Sequence, residues 1–347
     1  MNHSLKNTPQ KLKKQTLELL WQQWSAIGVA GTAETDLPYL IDPEALLLFS
    51  TEFARHDSRL FDEILDWLYC NGNTINLKRL FSIRKQYTLG NPDVLLAIAK
   101  KLRSRSSTVK WLSVSKKSIH HSNDGKVIAK LDSLFSQLPF SIEVLKRADI
   151  EFHEKGYYRP NFKARGLSRC PTPNQPSNLI FKLRAFFGCN SRAEIMAWLL
   201  THQAGHPAKI ARDIHYFNKS VQATLNEMEG SGLVYSRRTK REKHFHINSN
   251  DWHAFIHPQQ QRPPTRWVNW AETFTSLEII FKTLDDAEAK KSSDLLVASH
   301  LKTAFEQANL ALDFTTSQHQ TGTDYLHTLL ADFERLLPGL QLKEFTD

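Results

Sequence analysis

With 347 residues and 41% apolar content, the chain has material for two or three domains with their own cores, which excludes a small stapled protein. Cys70, Cys170 and Cys189 stand alone and odd in number, no apolar run reaches bilayer-spanning length, and the polar residues 1–10 lack a secretory core, so a reduced, cytoplasmic protein without a membrane partner is expected. The net charge of +9 is uneven: residues 266–347 hold thirteen acidic and seven basic residues, leaving about +15 for the rest and pointing to a polyanionic partner.

Residues 1–41 read as an amphipathic helix over 11–24, with Leu12, Leu17, Leu19, Leu20, Trp21 and Trp24 on its apolar side, followed by a linker over 28–38. The helix should pack against another part of the chain or a second subunit. Residues 42–155 read as a basic, mainly helical region. Asp42-Pro43-Glu44 starts a helix to Phe53, a second covers 57–69, Asn71-Gly72-Asn73 marks a turn, a third covers 77–86, and Asn91-Pro92-Asp93 caps a fourth over 94–104. No acid occurs between 94 and 122, while Lys100, Lys101, Arg103, Arg105 and Lys110 lead a run of positive charge. A strand over 109–114 returning at 126–128 would make a wing. The stretch therefore reads either as a second, divergent winged helix touching DNA or as a solvated basic face. Another helical pattern covers 141–153.

Residues 156–178, with Arg159, Arg169 and several prolines but no periodicity, read as an extended linker. Its charges either track DNA phosphates or lie along the protein's own surface. A short apolar helix over 178–187 then leads into the most informative stretch, within a domain expected over 179–257. Ser191-Arg192-Ala193-Glu194 has the form of a capping box before Ile195, Met196, Trp198, Leu199 and Leu200. Pro207 suits a first helical position before Ile210, Ala211 and Ile214. After a turn at 215–217, Asn218 is the expected N-cap of a third helix running to about Gly230. There Val221, Leu225 and Met228 share one face, leaving Asn218, Lys219, Ser220, Gln222, Ala223 and Asn226 outward. That outward set is small, polar and positive, as a helix in a DNA major groove requires. Gly232 allows a turn into a strand from Leu233, returning over 244–247. Arg237, Arg238, Lys240, Arg241 and Lys243 against the single acid Glu242 make the hairpin a candidate phosphate or minor-groove contact.

Ile210-Ala211, Ser220-Val221, Leu225, Met228, Gly232-Leu233-Val234, Arg237-Arg238 and the Phe245-x-Ile247 return strand resemble the winged helix of ArsR/MarR-type bacterial transcriptional regulators. The resemblance covers residues 191–247 only. It implies a third helix that reads bases in duplex DNA and a wing that holds the flanking backbone. Metal-sensing members carry a cysteine pair near the helix-turn-helix. This chain has Ala208-Lys209-Ile210-Ala211-Arg212-Asp213 there, so no metal site is implied.

Beyond a second break over 258–264, residues 266–347 show three helical patterns: one from Trp267 to Leu284, one from Leu295 to Ala308, and one over 325–337 that Pro338-Gly339 should stop. An acidic helical bundle is expected, packed within the chain or serving as a dimer surface.

No P-loop, dinucleotide fingerprint or nucleophile with a base is present. His202/His206 and His244/His246 lack further ligands by spacing, and Asp285-Asp286-Ala287-Glu288 reads as a solvated run. The expected fold class is mainly α, with winged helix-turn-helix and small hairpin between helical terminal regions. The expected function is a cofactor-free, non-enzymatic transcriptional regulator that binds double-stranded DNA as a homodimer on an inverted repeat. The alternative is a winged-helix adaptor in a DNA-processing or phage-defence assembly. Neither effector nor operator is legible.

Overall fold

Asp42 accepts from the amides of Glu44 and Ala45, and Pro43 occupies the first turn, so the chain enters its second helix where a good N-cap and a preset φ coincide. Asp57, Asn76 and Asn91 cap the next three long helices in the same way. The computed structural model describes residues 3–31, 33, 36–103, 110–117, 131–136, 147–239, 242–256, 265–310, 316–317 and 320–341. Among them the helices are α1 (His3–Ala26), α2 (Pro43–Phe53), α3 (Ser58–Asn71), α4 (Leu77–Tyr87), α5 (Pro92–Leu102), α6 (Leu112–Lys117), α7 (Ile150–His153), α8 (Leu179–Phe187) and α9 (Ser191–Thr201), followed by α10 (Pro207–Asp213), α11 (Asn218–Gly230), α12 (Ser249–Ile256), α13 (Trp270–Lys290), α14 (Asp294–Gln307) and α15 (Gly322–Gln341). Two strand pairs accompany them: parallel β1 (Asp132–Ser133) with β2 (Tyr157–Tyr158), and antiparallel β3 (Tyr235–Thr239) with β4 (Glu242–His246). The fold is thus mainly helical with small sheets.

The apolar face of α1 is covered within the chain. It packs on α15 and α2, and Lys11 pairs with Glu334 at 2.6 Å. Helix α13 lies on α2 through stacked Phe49 and Phe274 at 4.7 Å and Phe53 against Phe281 at 4.6 Å. Buried apolar side chains from Leu12 to Leu337 form one connected core. Trp24, Trp67, Trp111, Trp198 and Trp270 are all essentially inaccessible, and each indole N–H has a partner: Ser50, the Ile27 carbonyl, the Gly72 carbonyl, Asp213 and the Leu40 carbonyl. Large apolar bodies can be buried here because their one polar atom is satisfied.

The structure corrects four local expectations. In place of a strand over 109–114, the chain forms α6 from Leu112, with Trp111 buried beneath the Gly72 carbonyl. Burial of that indole sets the local conformation. Ser191 is already helical: Asn190 caps α9, and Glu194 is drawn into a buried ion pair instead of turning back to the helix start. Helix α11 likewise begins at Asn218, with Phe217 in the cap position and no side-chain hydrogen bond there. Finally, α15 continues through Pro338 to Gln341. Proline removes its own amide donor and crowds the carbonyl one turn back, but this falls in the last turn, which buried Leu337 and the packed Leu340 anchor.

Residues 159–175 form no helix or strand, but they are bound closely. The amides of Arg165 and Gly166 donate to one Asp66 oxygen at 2.8 Å, and those of Leu167 and Ser168 to the other at 3.0 and 3.1 Å. Burial raises the pKa of Asp66, but hydrogen bonds from Gly166, Ser168 and Arg165 outweigh it and hold the carboxyl below its ordinary range. Gly28, at φ +106°, accepts the amide of Arg169, and a Cβ there would lie 2.3 Å from the Arg169 carbonyl oxygen.

Candidate nucleic-acid interface

Helices α9, α10 and α11 are followed directly by the β3–β4 hairpin. Val221, Thr224, Leu225 and Met228 of α11 are buried, as the 3.6-residue period requires. Asn218, Lys219, Ser220, Gln222, Ala223 and Asn226 are all exposed on the other side. At the end of α11, Gly232 at φ +74° lets the chain reverse, and the Leu233 amide donates to the Met228 carbonyl at 3.0 Å.

The hairpin has two unlike faces. Ser236 opposite Phe245 and Arg238 opposite Lys243 share the inner face, where Phe245 is buried. Tyr235, Arg237 and Thr239 oppose His246, His244 and Glu242 on the outer face. The Arg238–Lys243 juxtaposition is repulsive, and Glu229 of α11 offsets it by pairing with Lys243 at 2.5 Å. The same ammonium lies 3.4 Å from the Asn226 side-chain oxygen and 4.6 Å from the Phe245 ring centroid. Lys243 is therefore a brace between hairpin and helix. Arg237 and Arg238 remain exposed, while Lys240 and Arg241 lie outside the described residues.

Gly205 extends the hairpin on its other edge. Its amide donates to the Phe245 carbonyl at 2.9 Å and its carbonyl accepts from the Phe245 amide at 2.8 Å. A Cβ at Gly205 would fall 2.3 Å from the Trp198 ring, so glycine is what permits strand and indole to approach. Lys209 and Arg212 of α10, exposed on the helix packed against α11, add positive charge that no charge run in the sequence marks. The histidines are occupied locally: His202 stacks on Trp198 at 3.8 Å, and His206 caps α10 through the Ala208 amide.

The turn between α10 and α11 is locked from behind by α4. His215 sits there at φ +60°, buried, with Nδ1 3.2 Å from Gln86. Arg79 donates Nε to the Ile214 carbonyl at 3.1 Å, and Asn76 donates to the Tyr216 hydroxyl at 2.7 Å. Arg79 belongs to a buried ionic cluster. It donates to both Asp42 oxygens at 2.6 and 2.5 Å and to Glu44 at 2.8 Å. Arg184 donates to both Glu44 oxygens at 2.8 and 2.7 Å and to Glu194 at 3.0 and 2.6 Å. Three carboxylates and two guanidinium groups from α2, α4, α8 and α9 thus satisfy one another away from water. Burial opposes charge on Asp42, Glu194 and both arginines. In Asp42 the Arg79 charge overcomes burial and takes the pKa down to about 2, whereas in Glu194 burial wins and pushes it up. Burial, with Arg79 nearby, takes the His215 imidazole down to about 3, so it is neutral. No motif marks this cluster in the sequence, since its directly hydrogen-bonded members lie up to 140 positions apart.

The first-region set is arranged differently. Lys101 is buried against Asp149 at 2.8 Å and Glu151 at 3.2 Å, and Lys100 pairs with Glu154 at 2.7 Å. Lys110 donates to the carbonyls of Asn73 and Ile75. Arg103 is exposed, and Arg105 lies outside the described residues. In 156–178, Arg159 is buried among Phe61, Phe135, Phe152 and Phe162 with Asp62 at 2.7 Å, Arg165 pairs with Glu63 from an exposed position, and Lys163 and Arg169 are exposed.

No protein-family model, curated protein or solved structure matches this chain. Among the described residues no helix is long and apolar enough to cross a membrane, and no group of three or more His, Cys, Asp or Glu side chains is arranged so that it could hold a metal ion.

Proposed function

We propose that the chain is a transcriptional regulator that binds double-stranded DNA through residues 191–247, acting as a winged helix-turn-helix. In this reading α11 enters the major groove, where Gln222 and Asn226 read bases, Lys219 and Ser220 hold the flanking backbone, and Ala223 permits close approach. Arg237 and Arg238 hold phosphates or the minor groove beside it. The observation that carries the reading is the outward face of α11, five polar residues and Ala223, all exposed beside a hairpin that the Lys243–Glu229 pair braces against the helix and that Gly205 pairs with on its other edge. The turn locked by α4 supports it further, because a reading helix needs a rigid mount.

Binding as a homodimer on an inverted repeat is the second part of the proposal. With α1 covered inside the chain, Leu295 and Leu296 of α14, 61% and 44% exposed, are, among the described residues, the large exposed apolar ones of the acidic helical region available to a second copy. Selection of duplexes from a random-sequence library by the full-length chain, followed by footprinting, tests the proposal. A protected inverted repeat is the expected result. Failure to enrich any duplex, together with a stable protein partner, would favour the adaptor reading.

A further inference from the structure

Phe217 is 85% exposed, more than any other large apolar side chain among the described residues. It stands in the cap position of α11, where Ser, Thr, Asp or Asn would normally accept a backbone amide, and it makes no such bond. Nor does another ring pack on it among the described residues. The chain on both sides of the ring is held in place. Arg79 holds the Ile214 carbonyl, Asn76 holds the Tyr216 hydroxyl, and the Phe217 carbonyl accepts the Val221 amide at 3.1 Å inside α11. Immediately after it come Asn218, Lys219 and Ser220, all exposed. A phenyl ring is therefore displayed at the leading end of the helix whose polar face is proposed to enter DNA.

We infer that Phe217 contacts a base directly and reads the 5-methyl group of a thymine in the major groove. This rests on the DNA-binding reading above and adds an apolar reader to its polar ones. The thymine methyl is the apolar group that a base pair presents on its major-groove edge, and a displayed phenyl ring is matched to it. Wedging between stacked bases is the habit of side chains entering the minor groove, whereas this ring leads a helix facing the major groove.

The test uses the full-length chain and the duplex it enriches from a random-sequence library. Each thymine of that duplex is replaced in turn by deoxyuridine, which deletes one methyl group and nothing else. For the unaltered protein one such replacement should weaken binding about fourfold, the worth of one buried methyl-sized group. That penalty should vanish for Phe217→Ala and persist in part for Phe217→Leu, which keeps an apolar side chain at the position. Identical deoxyuridine penalties in the unaltered protein and Phe217→Ala would overturn the inference while leaving the DNA-binding reading intact. Failure to enrich any duplex would overturn both.

Discussion

Residues 100–110 and residues 219–243 both carry runs of positive charge, yet the two regions differ in where that charge is directed. Lys101 meets Asp149 and Glu151 in a buried pair, Lys100 meets Glu154, and Lys110 is held by two backbone carbonyls. Among the described residues of the later region Lys219, Arg237 and Arg238 face solvent, while Lys243 is bound internally, where it aligns the hairpin with α11. Charge density alone does not mark a polyanion-binding surface. What distinguishes the two is whether acids elsewhere in the fold have already neutralised the cations, and those acids lie some 50 positions away in the first region.

The ionic cluster behind α11 offers the largest way to break that contrast. Glu44→Ala leaves Arg79 and Arg184 buried without their shared partner and should lower stability by about 3–5 kcal/mol, measured by denaturant unfolding. DNA affinity should fall with it as the mount of α11 loosens.

Acid should weaken the same mount. The folded-state pKa of His215 is depressed to about 3, below the ordinary 6.5, so the unfolded chain takes up a proton that the folded chain refuses. Stability is fully present above about pH 6.5 and is lost as pH falls toward 3, at up to about 1.4 kcal/mol per pH unit. His215→Asn, which tolerates the left-handed backbone, should flatten this slope in unfolding curves collected across that window.

Substitutions on α11 sharpen the comparison from the other side. Gln222→Ala or Asn226→Ala should remove about 1–3 kcal/mol of discrimination between the selected duplex and its single-base variants, while binding to random duplex changes little. Competition titrations read that difference directly. Asn226 is the more demanding case, because Lys243 lies 3.4 Å from its oxygen and, in the proposed reading, would share it with a base. At the small end, Lys100→Ala removes a partly exposed ion pair and should change stability by less than about 1 kcal/mol.

Much of the helical framework was legible because its signals are local. Asp42-Pro43, Asp57, Asn76 and Asn91 each place a capping oxygen one residue before an apolar period, and α2 to α5 begin where those residues require. The outward face of α11 was legible for the same reason, since Val221, Leu225 and Met228 define its buried side. Errors arose where a distant partner decided the outcome. Glu194 has the spacing of a capping-box acid, but Arg184 lies within hydrogen-bonding distance and takes it. Trp111 sits in a sequence of strand-forming residues, but its burial beneath Gly72 places a helix there. Lys101 reads as a cation facing DNA or solvent and Arg159 as one facing DNA or lying along the protein's own surface, and only the folded chain brings Asp149 and Asp62 to them.

The salt dependence of duplex binding tests the central claim most directly. For the full-length chain the slope of log affinity against log salt should fall in magnitude by about two in an Arg237→Ala/Arg238→Ala variant, about one unit for each phosphate no longer neutralised, with affinity reduced on every sequence. A Lys100→Ala/Lys110→Ala variant should keep the original slope. Equal slopes in the unaltered protein and the hairpin variant, or a flattened slope in the Lys100/Lys110 variant, would contradict the assignment of the interface to α11 and its hairpin.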